Sequence, residues 1–100
     1  MKRFKSREYE KDCRICGVND NAPLVIARAV TNKVLEKEKL HSHEGFEFYI
    51  FLKGKAELEV NGEIISIEKG DVILIQPGEM HQISNILEET DYITIKESNS

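Results

Sequence analysis

The sequence contains no tryptophan, only two prolines, two cysteines and two methionines, and no long apolar run. A membrane span needs roughly 20 consecutive apolar residues, and no apolar stretch follows the basic residues near the N-terminus, so neither a membrane segment nor a secretory signal is expected. The net charge of −4 excludes the basic footprint typical of nucleic-acid-binding proteins. The sequence therefore predicts a cytoplasmic protein of one domain, with no membrane or nucleic-acid partner.

The two cysteines, Cys13 and Cys16, form a single CxxC motif. A structural zinc ion needs four ligands, and no second CxxC motif supplies the other two. A thioredoxin-like redox pair normally sits in a βαβ unit, which this sequence does not predict. Three interpretations stay open: two unreactive thiols, a reversible disulfide, or a zinc ion shared between two subunits.

The pattern of apolar residues divides the chain into two parts. Residues 1–20 are polar without a sustained period, which predicts an N-terminal arm, and residues 21–100 are predicted to form one domain. In this second part, short segments rich in β-branched and aromatic residues alternate with turn signals, as in LVIARAV (24–30) and FEFYIFL (46–52). Asn61-Gly62 inside AELEVNGEIISI (56–67) predicts a type I′ hairpin turn. Seven or eight short strands predict an all-β antiparallel sandwich or small barrel.

The stretch HSHEGFE (41–47) contains two of the three histidines of the chain. Side chains alternate between the two faces of an extended chain. The residues predicted to share one face here are His41, His43, Glu47, Tyr49 and Phe51. Two imidazoles and a carboxylate make part of a transition-metal site. The third histidine, His81, begins another predicted strand, which a small barrel can bring beside the first.

Two segments resemble the two motifs of the cupin family. HSHEGFEFYIFLKG (41–54) matches the first motif, HxHxxxExxxxxxG, without a gap, and GDVILIQPGEMHQISN (70–85) matches the second, GxxxxxPxGxxHxxxN, except that Gln76 replaces its first proline. Leu35 also stands where a glycine often precedes the first motif. The chain is similar to small single-domain cupins of the RmlC-like superfamily, the conserved-barrel cupin type 2. The resemblance implies a double-stranded β-helix, the cupin jelly roll.

The same resemblance implies a metal site, because the ligand positions of the family fall on His41, His43, Glu47 and His81. Three imidazoles and one carboxylate suit one divalent transition metal (Mn, Fe, Co, Ni, Cu or Zn) rather than Ca or Mg. Two coordination positions would remain for water or a small-molecule ligand. Such an ion can polarise a carbonyl group or organise dioxygen chemistry.

Other side chains are candidates for contact with a substrate. Tyr49 is a candidate catalytic acid, the alternative being a ring that fills the barrel. Phe51 would line an aromatic wall, and Gln76 and Met80 flank the turn before His81 at the barrel mouth.

Arg28 is a further candidate, as a clamp for a carboxylate or phosphate. It is in phase with Leu24, Ile26 and Val30, and the prediction holds if these residues face the interior. The alternative is an arginine on an exposed face, with Ala27 and Ala29 packed inside.

The face of the 46–52 strand opposite the predicted ligands is apolar, with Phe46, Phe48, Ile50 and Leu52. A stripe of this kind on a small protein normally marks an interaction surface, so we predict a homodimer.

The first functional hypothesis is a metal-dependent enzyme acting on a small polar metabolite, by sugar-like isomerisation or by dioxygenation. The alternatives are a non-catalytic sensing protein that binds a small molecule through its metal, and a barrel in which the metal is purely structural.

Overall fold

The computed structural model describes residues 1–5 and 12–98. The strands of this part are β1 (Asp12–Cys16), β2 (Leu24–Thr31), β3 (Glu47–Lys53), β4 (Lys55–Val60), β5 (Glu63–Glu68), β6 (Val72–Ile75), β7 (His81–Ile86) and β8 (Thr90–Glu97). Two 3-10 turns lie at Val18–Asp20 and Glu36–Glu38. Among the described residues, no helix is long and apolar enough to cross a membrane. The all-β prediction is confirmed.

The strands form two antiparallel sheets. The larger sheet has the order β1-β2-β8-β3-β6 and the smaller has the order β5-β4-β7. Neighbours such as β2 and β8 are far apart in sequence, so the chain crosses between the sheets and returns, as it does in the double-stranded β-helix that the resemblance implies. The predicted hairpin is confirmed: Asn61 (φ 49°) and Gly62 (φ 85°) join β4 and β5 with the two positive φ angles that a type I′ turn requires.

The structure corrects the prediction of an irregular N-terminal arm. Asp12–Cys16 forms β1, which pairs antiparallel with β2 and is one of the two edge strands of the larger sheet. The pattern of this strand did not predict it, because a bulge between Arg14 and Cys16 breaks the alternation of side chains. Residues 6–11 of the predicted arm lie outside the described residues.

Cys13 and Cys16 both lie on β1, where both are buried free thiols. Three residues along a strand span roughly 10 Å, and even with some shortening at the bulge this exceeds the Cα separation of about 7 Å that a disulfide tolerates. Each thiol instead lies 3.8 Å from a backbone oxygen, that of Arg14 for Cys13 and that of Leu24 for Cys16. This geometry favours unreactive thiols over a reversible disulfide.

The core lies between the two sheets and contains Ala29, Tyr49, Phe51, Ala56, Leu58, Ile67, Ile75, Ile83 and Tyr92. In β3 the predicted alternation is observed, because Glu47, Tyr49 and Phe51 are buried while the residues between them are only partly buried. Phe51, which we predicted to contact a substrate, is therefore part of the core packing.

In β2 the structure decides between the two phases that the sequence left open. Val25, Ala27, Ala29 and Thr31 are buried, whereas the larger residues between them lie on the outer face of the sheet. Arg28 is on that outer face, and its Nε donates a hydrogen bond to Oδ1 of Asp91 at 2.8 Å. Arg28 does not face the barrel interior, so it is an arginine on the exposed face of the strand, with Ala27 and Ala29 packed inside.

The outer face of the larger sheet is apolar over several strands. Cross-strand pairing places Phe48 beside Leu74 and Ile95, and Ile50 beside Val72 and Ile93. Val72 is 58% exposed and Leu74 is 43% exposed, so this face is open to a partner.

Candidate metal centre

Four side chains from separate parts of the chain meet at one end of the barrel: His41, His43, Glu47 and His81. The two first-motif histidines precede β3, Glu47 is the first residue of β3, and His81 is the first residue of β7. A β-bridge joins the segments, because the backbone of His41 donates to His81 O at 3.0 Å and the backbone of His81 donates to His41 O at 2.9 Å. This bridge brings the third histidine beside the first two.

The candidate ligand atoms of these four residues lie within 4.8 Å of one another. Oε1 of Glu47 is 2.9 Å from Nε2 of His81 and 3.2 Å from Nε2 of His43. Atoms bound about 2.1 Å from a common ion are at most about 4.2 Å apart. The group therefore needs to close by only a few tenths of an ångström to surround one ion.

The hydrogen bonds of the imidazoles also fit a metal site. Nδ1 of His41 is 2.5 Å from Lys39 O, and Nδ1 of His81 is 2.9 Å from Glu79 O. A carbonyl oxygen only accepts, so in both rings Nδ1 carries the proton, and in His41 the Nε2 lone pair of the neutral ring is left for an ion. Nε2 of His81 instead faces Oε1 of Glu47, and a bound ion would take the place of the proton between them. Nε2 of His43 is buried and makes no hydrogen bond to any described residue, since its contact with Glu47 is poorly directed. An unsatisfied buried nitrogen is costly, and a bound cation would satisfy it.

The electrostatics of Glu47 and His43 favour the protonation states that bind a metal, whereas those of His81 favour its protonated form. Burial alone would raise the pKa of Glu47, but the hydrogen bond with His81 and the nearby histidine charges outweigh it and lower this pKa. Burial lowers the pKa of His43. Burial would also lower the pKa of His81, but its bond to Glu47 raises it. At neutral pH the site thus holds an ionised carboxylate and, at His43, a neutral imidazole, which are the forms a transition metal requires.

A second buried carboxylate, Glu38, lies in the 3-10 turn before the histidines and is 2% exposed. The hydroxyl of Tyr49 donates to its Oε1 and the hydroxyl of Tyr92 donates to its Oε2, both at 2.8 Å. Burial raises the pKa of Tyr49 well above its ordinary value, so the predicted catalytic acid is a fully buried neutral phenol that is bonded to Glu38. Sequence reasoning missed Glu38, because in the run EKEK nothing distinguishes it from its exposed neighbours.

Burial raises the pKa of Glu38, and the two tyrosine hydrogen bonds only partly oppose this effect. A carboxyl group with a raised pKa in the folded state stabilises the fold at low pH and loses that contribution as pH rises. The unmodified chain therefore loses stability as pH rises above about 4.5, whereas Glu38→Gln does not. The free energy of unfolding of Glu38→Gln, minus that of the unmodified chain, should increase over this range and then level off. Each pH unit between the unfolded and folded pKa values contributes about 1.4 kcal/mol.

Urea unfolding of the metal-free proteins at a series of pH values measures this difference. Glu63→Gln, which removes a carboxylate at an exposed position of β5, is the matched control. A Glu38→Gln difference that is flat between pH 4 and pH 8 would contradict the assignment of a raised pKa.

A cavity of about 320 Å³ opens beside the metal centre. Its lining consists of Arg14, Val25, Ala27, Lys37, Glu38, His41, His43, Glu47, Thr94 and Lys96. None of the four predicted substrate-binding residues lines it: Arg28 is on the outer face, Phe51 is in the core, and Gln76 and Met80 are exposed near the turn before His81. The cationic residues of the lining were not predicted, since their positions depend on the pairing of strands distant in sequence.

Comparisons with known proteins agree with this fold. The cupin domain family model matches residues 31–95. An RmlC-like cupin with a double-stranded β-helix from Methanocaldococcus jannaschii superposes with a TM-score of 0.78 at 13% identity, over 99% of this chain and 92% of that one. A cupin protein from Bacteroides fragilis gives 0.72 at 23% identity, over 98% and 86%.

A predicted oxalate decarboxylase from Thermotoga maritima superposes with a TM-score of 0.73 at 25% identity, over 87% of this chain and 78% of that one. No curated protein matches the chain significantly.

Proposed function

Because the chain belongs to the cupin domain family, we propose that it is a metal-dependent enzyme acting on a small polar metabolite, by isomerisation of a sugar-like substrate or by dioxygenation. The observation that carries the proposal is the convergence of His41, His43, Glu47 and His81, of which all but the fully buried His81 line a cavity of about 320 Å³. This volume suits a small metabolite whose oxygen atoms reach the ion. A bound transition metal would supply Lewis-acid or, if redox-active, dioxygen chemistry.

The chain itself provides one candidate for proton transfer. Glu38 lines the cavity, and burial raises its pKa above the ordinary carboxyl value, which makes its carboxylate a stronger base. Tyr49 and Tyr92 hold the two carboxylate oxygens in place. We therefore assign the acid–base role to Glu38 and a positioning role to Tyr49.

The alternative is a non-catalytic binding or sensing protein, in which the metal holds a small molecule that does not react. It is favoured by the small number of acid–base groups in the cavity, because the Tyr49 hydroxyl is already engaged by Glu38. The similarity to the Thermotoga maritima protein, a predicted oxalate decarboxylase, supports the choice of an enzyme over a sensing protein.

Incubation of the metal-loaded protein with a panel of sugars, sugar phosphates and small acids tests the proposal, with products followed by NMR and oxygen uptake by electrode. Turnover by the unmodified chain that is lost in His43→Ala would support an enzyme. Gln76→Ala, at an exposed position outside the cavity, is the control and should keep its activity. Binding of a panel member that is recovered unchanged supports the sensing alternative. If no panel member binds and none is converted, both the enzyme proposal and the sensing alternative are contradicted.

We also propose that the chain forms a homodimer through the outer face of the larger sheet. Five strands about 4.8 Å apart, with up to eight residues in a strand, present a face of about 20 by 25 Å. Two such faces together reach about 1,000 Å², the lower end for a specific interface. The apolar rows of Phe48 and Ile50 run across its centre, and a second copy offers the same apolar surface.

Gel filtration with light scattering should therefore give twice the chain mass of 11.5 kDa. Val72→Lys and Leu74→Lys place a charge on this face at exposed positions and should yield monomers with an intact fold. Ile64→Lys changes an exposed isoleucine of the other sheet and should leave the dimer unaffected. A monomer for the unmodified chain at all concentrations would rule out the dimer.

A further inference from the structure

The cavity beside the metal centre carries an arrangement of cations that the proposed function does not use. Resting on that function, we infer that the ligand is an anion: a small carboxylate or phosphate compound whose charged group is held by Arg14, Lys37 and Lys96 while its other end reaches the metal. The chain as a whole is acidic, so a basic cavity is a local feature rather than a consequence of composition.

Cross-strand pairing places Lys96 directly beside the metal centre. Lys96 on β8 is paired with Glu47 on β3 and with Val25 on β2, and paired residues point to the same face of a sheet. Its ammonium group therefore belongs to the same inner surface as the metal-binding carboxylate.

A neighbouring row explains why there is space for a ligand. Arg14 on β1 is paired with Ala27, Ala27 with Thr94, and Thr94 with Tyr49. Ala27 and Thr94, in the middle of this row, have small side chains, which leaves space on the inner face of the sheet between Arg14 and Tyr49. The observed phase of β2 keeps this space open, because the larger residues of that strand would fill the cavity if they pointed inward.

The charges of the lining favour an anion. Arg14, Lys37 and Lys96 contribute +3, and Glu38 and Glu47, taken as ionised, contribute −2, which leaves +1. A divalent ion raises this excess to +3. The three cations come from three separate segments, β1, the 3-10 turn and β8. Holding like charges around one cavity is unfavourable, and an anionic ligand offsets that repulsion.

Isothermal titration calorimetry tests the inference with succinate and glycerol 3-phosphate as probes, and with the neutral compounds succinamide and glycerol as their matched controls. Titrations are run on nickel-loaded and metal-free protein. We expect at least one anion to bind, and Arg14→Gln and Lys96→Gln each to weaken it about tenfold without changing metal content. Lys69→Gln, at an exposed turn position, removes the same charge outside the cavity and should have no comparable effect. Preference for one of the two anions distinguishes a carboxylate site from a phosphate site.

The inference is overturned if neither anion binds, if the neutral compounds bind equally well, or if Arg14→Gln and Lys96→Gln bind anions as the unmodified chain does. These outcomes leave the metal centre intact. Failure of the protein to bind nickel contradicts the proposed function instead. In that case, anion binding by the metal-free protein that depends on Arg14 and Lys96 still supports the inference, and its absence still overturns it.

Discussion

Replacing His81 by alanine is expected to lower the affinity of the protein for divalent transition metals by at least about a thousandfold. The substitution removes one of four ligands, and loss of even an outer-shell partner costs 10- to 100-fold. It also removes the Nε2 group that lies 2.9 Å from Glu47 Oε1, so the carboxylate loses the contact that orients it. Competition with a chelating dye for Co²⁺, Ni²⁺ or Zn²⁺ measures the change.

The imidazole of His81 is fully buried, so His81→Ala also creates a cavity and lowers stability. His41→Ala is the second variant, because this ring is partly exposed and its loss should leave the fold intact while removing a ligand. Gln82→Ala, next in the chain and partly exposed, is the control and should bind metal normally. Metal affinity within about threefold of the unmodified chain for both histidine variants would show that the cluster is not a metal site.

The second large effect is on stability: Gly54→Ala is expected to destabilise the protein by about 3 to 5 kcal/mol. Gly54 has φ +90°, in the region that favours glycine, and a Cβ there would lie 2.7 Å from the Cα of Thr90 and even closer to the carbonyl oxygen of Glu89. Both atoms belong to the backbone, so the main chain at Glu89 and Thr90 would have to move. Denaturant unfolding measures the loss.

Gly62→Ala separates the two causes of this effect. Gly62 has a similar φ of +85°, but a Cβ there would meet nothing within 4 Å. The free energy of unfolding of this variant should fall only by the cost of placing alanine at a positive φ, about 1 kcal/mol. Equal losses for the two variants would show that close approach of the backbone at Gly54 is not the cause.

The residues of the metal centre could be predicted from the sequence because they lie in two short motifs with fixed spacing. His41, His43 and Glu47 have the spacing of the first cupin motif, and His81 was the remaining histidine in the second motif. The predicted extended chain is not observed over the whole segment, because it bends at residues 44 and 45 before β3 begins. The last glycine of the first motif, Gly54, is needed for packing and not for metal binding, because only a hydrogen atom fits against the Glu89–Thr90 backbone.

The cavity could not be predicted from sequence, because its shape depends on which strands become neighbours. In β2 the sequence left open which face points inward, and the structure shows that Ala27 and Ala29 do, with the small Ala27 lining the cavity. Glu38 is buried only because two tyrosines from β3 and β8 bond to it. No local pattern marks either feature.

Anomalous X-ray scattering at the absorption edge of the bound metal tests the central claim most directly. For crystals of protein loaded with one equivalent of Ni²⁺ or Zn²⁺, we predict a single peak about 2.0–2.2 Å from Nε2 of the three histidines and from a carboxylate oxygen of Glu47. A peak at another location, or the absence of a peak among these four residues, would contradict the account.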